Sequence, residues 1–310
     1  AYEGVNTALN QVYFVKILDK LPDGKLRITN PPEGGQKKQV KQVEAVVEPD
    51  LVYPLIRGRD IEKWFVETSD RYVIIPYRLN GQVIPPSEMR AKYPNTYAYF
   101  YTFYNELINR SGGFLRKKLS IYKQLPLEIA EKKTIPFYSI ATNIGPYTFA
   151  PYKVVWKEVS ARMQAGGFHV AVIEPIEDKY LGSKVIIPDH TVILIPLYDK
   201  DEAYYLAGIL NSIIATIYGI YMVGSMLENF YIPKFDRNNP LHQKIVELSK
   251  KAHELARCIH AKVKPEYCRG IGKPEEELGR VENEIDKAVG QLYGLSEDAI
   301  EEFRKLLAIL

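Results

Sequence analysis

The first eighty positions alternate short apolar runs with turn signals. VYFVKIL (Val12–Leu18), LRITN (Leu26–Asn30), VEAVV (Val43–Val47) and YVIIPY (Tyr72–Tyr77) are rich in β-branched and aromatic residues. Pro22-Asp23-Gly24 and Asn80-Gly81 punctuate them. That pattern predicts strands. Pro85-Pro86-Ser87-Glu88 reads as a loop into a helix N-terminus, and Tyr93–Asn109 as an aromatic-rich helix. Lys153–Val159 and Phe168–Ile173 are strand-like, joined by SARMQAGG. Lys184–Leu197 reads as two short strands around Asp189-His190, and Asp201–Tyr221 as a helix.

Beyond Pro233 the period changes from two to 3.6. Asn239 is a good N-cap with Pro240 in the first turn. Ile245, Leu248, Ala252, Leu255, Ala256 and Ile259 then recur on one helical face. After a polar linker, Leu278, Val281, Ile285, Ala288 and Leu292 form a second stripe that Gly294 stops. Ser296 caps a third helix carrying Ile300, Phe303 and Leu307. The expectation is an α+β fold: a mixed-strand body over residues 1–237 and a helical tail over 238–310.

Composition narrows the class. The 310 residues are 46 % hydrophobic and 25 % charged, which marks a globular chain. The net charge is only +3, but it is unevenly spread. Residues 241–310 hold 12 Lys and Arg against 13 Asp and Glu, leaving 29 against 25 in the body. Such a mild basic bias is compatible with a polyanion partner without requiring one. Two cysteines, Cys258 and Cys268, make no disulfide framework, so a reducing cytoplasm is expected. The apolar run Tyr204–Val223 is interrupted by Gly208, Asn211, Ser212 and Gly219, and reads as a buried helix rather than a membrane span. Lys and Glu outnumber the thermolabile residues, which points toward a thermophile. The chain opens on Ala1 rather than methionine, so a native segment is expected upstream.

Catalytic constellations fail on inspection. Asn30-Pro31-Pro32 starts like the catalytic motif of amino-methyltransferases, but Glu33 stands where the base-stacking aromatic belongs, and no glycine-rich cofactor loop precedes it. His253-Glu254 begins like a zinc-protease helix, yet Arg257 occupies the second histidine position. Cys258, His260 and Cys268 match no standard zinc spacing. Glu131-Lys132-Lys133 has the Glu-x-Lys spacing of many nucleases without an accompanying aspartate strand, and reads as surface charge.

The most informative segment is YPLIRGRDIEKW (Tyr53–Trp64). Its apolar run breaks at Gly58, flanked by Arg57 and Arg59. Glycine permits close backbone approach, and a guanidinium can fork onto a phosphate or a guanine edge. A strand end with two solvated arginines accounts for the same residues. The segment also resembles one found after the catalytic domain of large adenine-specific DNA methyltransferases: the modification halves of type IIG restriction–modification enzymes and their TaqI-like relatives. The order of further segments supports the resemblance over nearly the whole chain. GVNTALNQVYFV (Gly4–Val15) comes before it. YVIIPY, YKVVWKEVSARM (Tyr152–Met163), YYLAGILNS (Tyr204–Ser212), FYIPKFD (Phe230–Asp236) and IDKAVGQLYGLSEDAIEEF (Ile285–Phe303) follow it.

The resemblance implies a target-recognition domain that grips double-stranded DNA and leaves methyl transfer to a neighbouring domain binding S-adenosylmethionine. No cofactor, metal or catalytic site is expected in this chain itself. The candidate DNA contacts are Arg57, Arg59, Lys63, Arg110, Arg116, Lys117, Lys118, Lys153, Lys157, Arg162, Gln164 and Lys234. Arg162 and Gln164 lie on a strand-to-Gly-Gly loop; Trp64 and Trp156 are expected in the core rather than stacked on bases. Two other readings stay open. One is a specificity subunit whose helix Asn239–Lys264 docks a separate methyltransferase. The other is a stand-alone nuclease using Glu131 and Lys133.

Overall fold

The computed structural model describes residues 1–30, 40–110, 113–158, 169–221 and 230–309. In chain order its strands are β1 (Tyr2–Glu3), β2 (Phe14–Lys20), β3 (Leu26–Thr29), β4 (Glu44–Val47), β5 (Val52–Ile56), β6 (Ile61–Glu62), β7 (Phe65–Val66), β8 (Tyr72–Ile74), β9 (Tyr152–Lys157), β10 (Ala171–Ile173), β11 (Ile176–Asp178), β12 (Gly182–Lys184), β13 (Ile187–Pro188) and β14 (Val192–Leu197). Its helices are α1 (Asn10–Tyr13), α2 (Pro86–Lys92), α3 (Pro94–Thr102), α4 (Tyr104–Ile108), α5 (Gly113–Leu119), α6 (Leu127–Lys133), α7 (Lys200–Leu210), α8 (Ile213–Tyr221), α9 (Pro240–His260), α10 (Pro274–Leu292) and α11 (Glu297–Ile309).

Strands order into a six-stranded sheet, β13-β5-β8-β2-β3-β4, and a four-stranded sheet, β1-β14-β9-β10. All neighbours are antiparallel except β13 on β5. This is the α+β class that the sequence pattern predicts. β2 shows why: Phe14, Val15 and Ile17 are buried while Lys16 and Leu18 face out, the period of a strand with one solvated face. The expected strand starting at Val12 instead begins at Phe14, because Asn10–Tyr13 wind into one helical turn.

Two predicted helices are each two. The aromatic helix breaks at Phe103 between α3 and α4. The second break falls at Asn211-Ser212. There the Asn211 amide accepts from the Val170 N–H and donates to the Val170 carbonyl, and the Asp286 carboxylate accepts from the Ile213 N–H that opens α8. These long-range bonds substitute for the helical ones lost, which is why local pattern misses the break.

One core packs β2, β3, β5 and β8 against α3 and the aromatic pair Phe137 and Tyr138. A second joins β9 and β10 to α7, α9 and α10. The helical tail therefore shares its core with the later strands. Ile245, Ala252, Leu255 and Ala256 of α9 and Val281, Ile285 and Ala288 of α10 are buried as the two stripes require. His253 ties α9 to the sheet: its Nε2 accepts from the Val172 N–H at 2.9 Å and its Nδ1–H donates to the Ser249 carbonyl at 2.7 Å. Burial holds this imidazole down at about 4, so it stays neutral. Among the described residues, no helix is long and apolar enough to cross a membrane.

The cysteines are a correction. Cys258, buried on the last turn of α9, is bonded to Cys268. The chain reverses after Pro265, and the short turn Glu266–Gly270 brings the two Cα atoms to 5.5 Å. Neither thiol is free for zinc, and the pairing removes the argument for a reducing compartment. A cross-link closing a separation of 10 residues should contribute about 2–3 kcal/mol. Denaturant unfolding with and without reductant should show that loss, and Cys268→Ser should show it without reductant; an unchanged midpoint in both would mean the bond contributes nothing.

Candidate nucleic-acid interface

β5 ends at Ile56, and the next four residues form a turn closed on itself. The Asp60 N–H donates to the Arg57 carbonyl at 2.9 Å, and the Asp60 carboxylate accepts the Arg57 N–H at 2.8 Å. The same carboxylate pairs with Arg71 at 2.5 Å. A second clamp comes from the β13–β14 connection. The Asp189 side chain is fully buried and accepts from Arg57 Nε at 2.9 Å and from the Thr191 N–H at 2.9 Å. The Thr191 hydroxyl in turn accepts from the Gly58 N–H at 2.8 Å. Both carboxylates thus hold backbone as well as guanidinium, which fixes the turn in one conformation.

Two glycines let this connection fit. A Cβ on Gly58 would sit 2.7 Å from the Thr191 carbonyl oxygen. A Cβ on Gly4 would sit 2.3 Å from the Asp189 carbonyl oxygen, where the N-terminal segment crosses the same turn. The 188–191 connection is gripped between them.

The clamped turn presents Arg59 outward. Arg59 is exposed and has no hydrogen-bond or ion-pair partner among the described residues. Beside it a recess of about 260 Å³ is lined by Arg57, Gly58, Arg59, Lys157 and Thr191. Lys157, at the end of β9, also reaches Glu62 at 3.2 Å. Lys63, on the adjoining β6–β7 hairpin, pairs with Glu282 of α10 at 2.7 Å. Nearby, burial first and then the charges of Lys63 and Lys157 hold His169 below its ordinary value. Sequence reasoning names Arg57, Arg59 and Lys157, which the structure brings to one recess, and Lys63 on the adjoining hairpin. It misses Asp189 and Thr191, since no local signal links positions 132 and 133 apart in the chain, and it misses Arg71, which reaches Asp60 from 11 residues on.

Trp64 is core, as expected: it is 1 % exposed, edge-on to His253, and its indole N–H donates to Glu282 at 2.8 Å. Its φ of 66° is the left-handed region, costly for a bulky side chain and sustained here by that packing. Trp156 is half-buried against the second core.

Arg116, Lys117 and Lys118 are exposed on α5, and Lys234 is exposed on the segment packed over Tyr205; none of them lines the recess. Arg162, Gln164 and the Gly-Gly loop lie outside the described residues. The chain leaves the sheet at Glu158, next to Lys157, and is described again from His169.

Arg110 and Lys153 are corrections. Arg110 is 3 % exposed and spends its guanidinium on the carbonyls of Thr7, Leu107, Phe137 and Ser139 and on the Tyr13 hydroxyl. It joins separate segments of the first core and leaves almost none of its surface exposed. Lys153 is fully buried on β9, donating only to the carbonyls of Ala150 and Ile186. Asn30 is likewise structural: its amide hydrogens go to the Gln11 and Lys41 carbonyls and its oxygen accepts from the Val43 N–H. Pro31, Pro32 and Glu33 lie outside the described residues. Glu131 is locked onto Arg90 at 2.9 Å and accepts from the Tyr97 hydroxyl. No group of three His, Cys, Asp or Glu among the described residues could hold a metal ion.

No family model matches the chain. Part of it is similar to the type II methyltransferase M.NspV of Nostoc sp., at 23 % identity over 173 residues. That stretch is 54 % of this chain and 29 % of the relative, so the chain spans less than a third of the protein it matches. The similarity to a type II methyltransferase is distant and partial.

Two outcomes test this geometry. Gly58→Ala forces the turn off Thr191, and should cost about 1–3 kcal/mol as an overpacked site; a thermal midpoint equal to the parent's would show that the connection yields freely. Burial pushes the Lys153 amine from its ordinary 10.5 down to about 7. Between those values the unfolded chain binds more protons, so stability rises with pH there and is lost as pH falls toward 7. The slope is at most about 1.4 kcal/mol per pH unit. Lys153→Met should flatten that rise in unfolding free energy, and equal slopes in the two proteins would contradict it.

Proposed function

We propose that this chain is the sequence-recognition module of an adenine-specific DNA methyltransferase, or of a restriction–modification enzyme that contains one. The observation that carries the reading is the doubly clamped Arg57–Asp60 turn. A bidentate arginine discriminates bases by about 1–3 kcal/mol only when its backbone is fixed beforehand. Asp189, Thr191 and Asp60 supply that fixity, and Arg59 leaves it exposed next to Lys157. The partial similarity to a type II methyltransferase supports the same reading. In it, methyl transfer and S-adenosylmethionine belong to a domain other than this one. Glu131, held by Arg90 and Tyr97, gives a stand-alone nuclease no support.

Binding of the chain to duplex libraries tests the proposal. Non-specific binding in the ~10⁻⁴–10⁻⁶ M range that falls steeply with salt is expected, together with enrichment of one short sequence. Arg59→Ala should weaken binding to that sequence by about 1–3 kcal/mol and relax the preference at one position. Absence of binding to any duplex at 50 mM salt, the low end of the range over which such contacts are ordinarily compared, would refute the reading.

A further inference from the structure

We propose that α5 and α6 form a second, sequence-independent grip on the phosphate backbone of a nucleic-acid duplex, separate from the Arg57–Asp60 turn. This deepens the recognition-module reading and rests on it. α5 buries Leu115 and Leu119 and turns Arg116, Lys117 and Lys118 to solvent. α6 buries Ala130 and exposes Lys132 and Lys133 in its last turn. The Thr134 hydroxyl donates to the Lys118 carbonyl at 3.0 Å, so the two cationic helix ends meet. The Tyr122 hydroxyl donates to the Ile135 carbonyl at 3.0 Å and fixes the connection between them.

What marks these ends is how many exposed cations without a carboxylate partner among the described residues fall within two short helices. Elsewhere, Arg27, Arg78, Lys92 and Lys251 are exposed with carboxylate partners, while exposed cations without one among the described residues, such as Lys16, Lys244 and Arg280, stand apart from one another in the sequence. The five cations of the α5–α6 ends have no carboxylate partner among the described residues. A helix C-terminus welcomes one or two cations through its dipole. Five within two adjoining helix ends exceed what the dipoles favour, and the positive potential they add attracts a row of phosphates. Short helices with side chains splayed from a fixed backbone suit phosphate spacing. They offer no amide or planar pair held against a base edge, which is why the contact is assigned to backbone rather than sequence.

The test uses the whole chain and fluorescent duplexes, one random and one carrying the selected sequence, titrated from 50 to 200 mM salt. The variant Arg116→Ala/Lys117→Ala/Lys118→Ala should weaken both duplexes by the same factor, on the order of tenfold or more, and lower the salt slope by about 2–3. Lys132→Glu/Lys133→Glu, on the other helix, should do the same without touching α5. Circular dichroism checks that each variant is folded. If the parent binds both duplexes and both variants bind like the parent, this grip is overturned while the recognition reading stands; an acidic protein surface is then the fitting partner. A loss confined to the selected sequence also overturns it, since that is base reading. A parent chain that binds neither duplex overturns both proposals.

Discussion

The carboxylate of Asp189 is the constraint on which this molecule's candidate surface depends. It sits without solvent at the junction of three chain segments: the N-terminal crossing at Gly4, the end of β5 and the β13–β14 connection. A buried carboxylate is costly unless paired and hydrogen-bonded. Here it takes a guanidinium, a backbone N–H and a hydroxyl. Removing it would leave Arg57 without this partner and Thr191 without its anchor, and the turn would lose one of its two clamps.

The polar interior extends beyond that point in a consistent way. Arg110 gathers four carbonyls, Lys153 two, Glu48 the opening N–H groups of α3, and Asp286 the first N–H of α8. Each joins segments far apart in the chain and satisfies backbone groups that secondary structure leaves open. These joints are direction-specific where apolar contact is not. They hold irregular connections in register between two cores, and the candidate recognition edge is made of such connections.

Periodicity alone gives the α+β class, the three tail helices and most strands, because each is marked by a pattern within a few residues. The Arg-Gly-Arg turn is legible for the same reason. What sequence could not separate was a cation facing water from one facing carbonyls. Lys153 and Lys157 lie on one strand, four residues apart, and should share a face by simple alternation. Yet one is fully buried and the other lines the recess: Lys153 is flanked by both β10 and β14, whereas Lys157, at the strand's end, is flanked by β14 alone. The cysteine pair was missed because a polar linker gives no sign that it folds back on the preceding helix.

Trp64 carries one more consequence. Its indole is wedged between a neutral imidazole on α9 and a carboxylate on α10, at the base of the hairpin that follows the arginine turn. Quenching by such neighbours depends on separation. With only one other tryptophan in the chain, the emission of Trp64 becomes a native optical gauge of how firmly the helical tail is seated beneath that hairpin.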